Sequence, residues 1–116
     1  MEKAILKKGD AVLIPDLDVT SSFLERLRGL MFTRWIPDSY GLMIRPCNQI
    51  HMMNMKFPLD VIYLSGDGTI LQIDEAILPW KIGKTVKQAV GVVEVNAGTC
   101  ARLGLDTGDK LTIENM

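Results

Sequence analysis

The sequence is short of the residues that build chemical machinery. One histidine (His51) and two cysteines (Cys47 and Cys100) are all it holds of those types. Two cysteines make one bridge at most, so no disulfide framework holds this fold, and two free thiols fit a reducing cytoplasm. There is no CxxC, no GxGxxG, no P-loop and no carboxylate pair at a diagnostic spacing. Thirteen Lys and Arg against fourteen Asp and Glu give a net charge of −1. No global field therefore argues for nucleic acid or an anionic membrane as partner. No apolar run approaches the ~20 residues of a membrane span. Charges interrupt the first apolar run (Met1 to Lys8), so no signal peptide is read there and a cytoplasmic location is expected.

What remains is an ordinary globular composition, 47% hydrophobic and 23% charged, in 116 residues. A chain of this mass is one domain, residues 1–116, and exposes ~6,300 Å² of the ~18,700 Å² of its extended form. The excess is in methionine. There are seven, and Met31, Met43, Met52, Met53 and Met55 fall within one short stretch.

Apolar runs at 3–7 and 11–15 flank Gly9-Asp10 and predict a hairpin, its second strand ending at Pro15. Ser22 and Glu25 have capping-box spacing. Phe23, Leu24, Leu27, Leu30 and Met31 then recur at helical intervals, predicting an amphipathic helix over 22–31 with that stripe inward. Strands follow at 41–45, 49–55 and 59–64. The run 61–64, the loop Ser65-Gly66-Asp67-Gly68 and the run 69–73 form the clearest hairpin. A strand at 89–95, a short helix from Thr99 (as N-cap) to Leu103, and a strand at 110–113 complete the chain. The sum is a mainly β fold, a sandwich or barrel-like domain of about eight short strands with one or two short helices.

Residues 45–64 concentrate the candidate chemistry. On a strand, His51, Met53 and Met55 would share one face at ~6.6 Å intervals. That is poor for a soft-metal Cu(I) site, and methionine as adaptable core filler explains them better. No cofactor or metal is expected. Cys47 and His51, four apart, would be ~13 Å apart on a regular strand, beyond the reach of a nucleophile–base pair. Asp60 shares a face with Ile62 and Leu64. A carboxylate there needs partners, either amides near Pro58 or a cation such as Arg28, Arg45 or Lys56. The cations Lys81, Lys84 and Lys87 read as a solvated loop.

Several of these segments in order resemble a known family. They are Arg28-Gly29-Leu30-Met31, Gly41-Leu42-Met43, Ile50-His51-Met52, Met55-Lys56-Phe57-Pro58-Leu59-Asp60-Val61, the hairpin 65–69, Glu94 with Ala97-Gly98, and Gly108-Asp109. Over about 19–113 the chain is similar to domain-of-unknown-function family 192, small proteins of bacteria and archaea. The resemblance implies a compact β fold with a small helical addition. It implies no established activity, and some relatives carry export signals. The expected function is a binding module for a small molecule or a protein partner, around His51, Asn54, Lys56, Asp60 and Arg28. A small enzyme pairing Asp60 with His51 or Arg28 is the alternative, and a Cu(I) carrier a third reading.

Overall fold

Short runs of β-branched residues separated by glycine turns set the architecture. A computed structural model describes all of residues 1–116. Its strands are β1 (Glu2–Lys8), β2 (Ala11–Val19), β3 (Tyr40–Ile44), β4 (Leu59–Leu64), β5 (Ile70–Ile77), β6 (Gly91–Asn96) and β7 (Thr112–Asn115). The helices are α1 (Phe23–Arg28) and α2 (Thr99–Leu103). All seven strands lie in one sheet, ordered β5-β4-β6-β3-β2-β1-β7. Neighbours are antiparallel except β2 beside β3.

The sheet does not close into a barrel, but its two ends are tied at one corner. Thr69 bridges Lys110, and Leu111 and Ile70 donate 2.8 Å backbone hydrogen bonds to Gly68 and Asp109. Gly68 is required here, because its φ is +87° and the Leu111 carbonyl occupies the place of a Cβ. No helix is long and apolar enough to cross a membrane.

A core lies on each side of the sheet. Leu6, Leu17, Ile62, Leu64, Val93 and Cys100 belong to the first. Leu42, Ile44, Val61, Tyr63, Val92 and Met52 belong to the second. Strands β4 and β6 feed both, so nearly every residue in them is buried. The exposed area of 6261 Å² equals the expectation from mass.

Three local expectations fail for physical reasons. Strand β2 runs on through Pro15, because Pro15 and Asp16 together oppose Ile5 in a bulge that needs no ladder donor. Residues 49–55 are not a strand. Only His51 makes a bridge, to Ile82, and the segment is held by Met52 donating to Lys81, Trp80 to Met52, Gly83 to Ile50 and Val86 to Asn48. The count is therefore seven strands rather than eight.

Helix α1 departs furthest. Ser22 caps it, its hydroxyl accepting from the Glu25 amide at 3.2 Å. Glu25 reaches back to the Ser21 amide at 2.8 Å, and its other oxygen pairs with the N-terminal ammonium at 3.0 Å. These contacts hold the Glu25 carboxyl down at about 2. Yet no residue of α1 is buried, and Phe23, Leu24 and Leu27 face solvent. The helix stops at Gly29, which takes φ +50°, and only Leu30 beyond it enters the second core. Leu24→Ser is accordingly expected to alter unfolding free energy by less than about 0.5 kcal/mol in urea denaturation. A loss near the ~2 kcal/mol of a buried leucine would show that the helix packs inward.

Candidate functional site

Glu94 stands among the valines of β6. It opposes Leu42 of β3 and Val61 of β4, which puts its side chain on the side of the second core. It is 4% exposed and makes no hydrogen bond or ion pair within the chain. Burial alone pushes its carboxyl up to about 8. Above it lies Gly29, where a side chain would stand 3.7 Å from Glu94 Oε1 and 3.5 Å from Ile44 Cδ1.

The space between Gly29 and the sheet is a cleft. Leu30, Ile44, Ile50 and Met55 make its apolar walls, and Arg26, Arg28, Cys47, Gln49 and His51 bring polar groups to it. About 40 Å³ is open to water centres, room for roughly three water-sized groups at 10–15 Å³ each. It suits a small polar head rather than a large ligand.

The loop after β3 shapes the cleft. It leaves the sheet through the cis Arg45–Pro46 bond and carries Cys47 and His51 to the same wall. They do not form a catalytic pair. The Cys47 thiol donates to the Gln49 carbonyl at 3.1 Å, and His51 Nδ1 accepts from the Met53 amide at 3.3 Å. Burial raises the Cys47 thiol above its ordinary value, so it remains protonated at neutral pH and is a poor nucleophile. Cys100 lies in the first core, on the other side of the sheet, and is pushed up to about 12.

Of the residues singled out in the sequence, Arg28 and His51 line the cleft. Asn54 does not; at φ +59° its carbonyl accepts from the Phe32 amide at 3.0 Å and joins two loops. Lys56 is exposed. Asp60 lies on the first-core side, fully buried. Its Oδ1 accepts from the Ala76 amide at 2.9 Å, and its Oδ2 from the Gly98 and Cys100 amides at 3.0 Å each. The partners are thus amides of β5 and α2, and no cation pairs with Asp60. The sheet separates Asp60 from His51 and Arg28. Asp60 also replaces the expected cap of α2, whose N-cap is Gly98 rather than Thr99 and has no side-chain bond of its own.

No three His, Cys, Asp or Glu side chains converge as metal ligands. Met52 and Met55 pack into the second core, whereas Met53 is 45% exposed. Glu94 is the residue that sequence reading missed. Its signal was the one used for Asp60, a lone carboxylate inside a β-branched run.

Comparison with known proteins supports the fold closely. A crystal structure of a "putative transcription regulator" from Sinorhizobium meliloti 1021 superimposes with a TM-score of 0.81 at 28% identity, over 97% of this chain and 92% of that one. A protein of unknown function from Novosphingobium aromaticivorans DSM 12444 gives 0.78 at 26% identity, over 95% and 83%. No curated protein matches. The sequence profile of DUF192, described as "Uncharacterized ACR", matches residues 4–113. The chain belongs to that family.

Proposed function

We propose that the protein binds a small molecule in the cleft beneath Gly29, with Glu94 as its anchor. The observation that supports this is a buried carboxyl, without a partner of its own, facing a space that a ligand can enter. A protonated Glu94 both donates and accepts, so it suits a hydroxyl or amide head. Leu30, Ile50 and Met55 suit a short apolar neck, and Arg28 at the rim suits a negative tail. His51 remains part of the proposed site with Arg28. Asp60, bound on both oxygens, serves the scaffold.

A thermal-shift screen of small hydroxy acids and acid amides tests this reading. A ligand at one hundred times its Kd stabilises by about 2.7 kcal/mol. The shift should vanish in Glu94→Leu, which removes both donor and acceptor, and weaken in Arg28→Ala. A hit that shifts both variants as it shifts the wild type would place binding elsewhere, and a screen without hits would refute this ligand class.

A further inference from the structure

The near-neutral net charge conceals a segregation. Residues 23–59 and 76–93 hold eight of the thirteen Lys and Arg but only two of the fourteen Asp and Glu, namely Glu25 and Asp38. The fold brings these segments together. Leu30, Ile36, Ile50, Met52, Met55 and Ala89, drawn from three loops, all pack on the second core. The Phe32 amide donates to the Asn54 carbonyl and the Met52 amide to the Lys81 carbonyl, which joins each loop to the next.

The outer surface of these loops is strongly apolar. Phe32, Trp35, Trp80 and Ile82 on the loops, and Phe23 and Leu24 on α1 before them, are each at least 59% exposed. Lys81, Lys84 and Lys87 are exposed among them. No acidic side chain lies between Glu75 and Glu94 to neutralise those three. Soluble surfaces rarely present so many large apolar groups in one region unless something covers them. Exposed aromatic and aliphatic side chains set among lysines and arginines have the chemistry of an interfacial surface, with rings entering the headgroup layer and cations meeting anionic lipid.

We infer that this face docks peripherally on an anionic lipid surface, with α1 and the Trp80 loop as its contacts. Charge complementarity selects the occupant. A neutral apolar partner would leave the cations without a role, and a nucleic acid would leave Leu24, Leu27 and Ile82 without one. Each basic side chain near an anionic membrane contributes about fivefold to partitioning.

Trp35 and Trp80 are both exposed, on two of the loops that make this face, so their emission would report the contact. Vesicles of equal phosphatidylglycerol and phosphatidylcholine should blue-shift that emission and carry the protein down on sedimentation. Pure phosphatidylcholine should do neither, and raised salt should reverse the binding. Joint reversal, Lys81→Glu with Lys84→Glu and Lys87→Glu, should weaken partitioning by at least about 100-fold, the value for loss of the three cations alone. Arg102→Glu, at an exposed residue of α2 outside this face, should leave it within about twofold, a few tenths of a kcal/mol. Absence of sedimentation and of blue shift at low salt would overturn the inference. So would binding that ignores the triple reversal, or duplex DNA bound in place of vesicles.

Discussion

Glu94→Gln should make the protein more stable at pH 9 and leave it nearly unchanged at pH 5. The Glu94 carboxyl is raised from its ordinary 4.5 to about 8 by burial. Below 4.5 both folded and unfolded chains hold the proton. Between 4.5 and 8 the unfolded chain releases it while the folded chain retains it, so stability falls as pH rises. Above 8 the loss is complete. At 1.36 kcal/mol per pH unit, its upper bound is on the order of 5 kcal/mol. The titratable groups that line the cleft with Glu94 are Arg26 and Arg28 of α1, and Cys47 and His51 from the loop after β3. Tyr40 and Tyr63 also feel its charge. Glutamine keeps the shape without the titration. Melting temperatures of both proteins from pH 4 to 9 measure the difference. Parallel curves across that range would show that Glu94 ionises freely in the cleft.

Asp60→Ala should cost about 3 kcal/mol or more, since each buried donor left without an acceptor costs about 1–3 kcal/mol. Three buried or part-buried amides, of Ala76, Gly98 and Cys100, lose their acceptor together. Asp60→Asn should cost less, about 1–3 kcal/mol. Its oxygen can serve Gly98 and Cys100, but its NH₂ then meets the Ala76 amide donor to donor. Guanidinium denaturation measures both. Asp60→Ala as stable as wild type would refute the role of this carboxylate as the cap of α2. Because the two carboxyls lie on opposite sides of β4 and β6, the two substitutions should be independent except through overall stability.

Much of the strand order along the chain was legible because each strand carries its own signal. The 61–64 and 69–73 hairpin has β-branched runs around a glycine loop, and β1 with β2 turns at Gly9-Asp10. Where one signal served two structures, reading failed. Phe23, Leu24 and Leu27 form a helical stripe, but periodicity reports spacing and not what the stripe meets. Residues 49–55 alternate like a strand, yet their partners are backbone amides and one carbonyl of a loop about 30 positions away in sequence, which no local pattern encodes. The burial of Asp60 was legible from its neighbours Ile62 and Leu64. Its partners were not, because two of the three amides belong to a helix reached only through the sheet. Glu94 was legible by the same rule, but the cleft above it is made by Gly29, whose approach is a tertiary event.

Ala76 gives Asp60 a second consequence. With φ +51° it is the extra residue of a bulge, where Glu75 and Ala76 together oppose Asp60 at the outer edge of the sheet. A bulge that turns an edge strand aside, next to the charges of Asp74 and Glu75, prevents another chain from adding to the ladder. Asp60 holds that bulge by its amide. Loss of the carboxylate that caps α2 should therefore also expose the edge, so that Asp60→Ala binds thioflavin T below its melting temperature under conditions where the wild type does not.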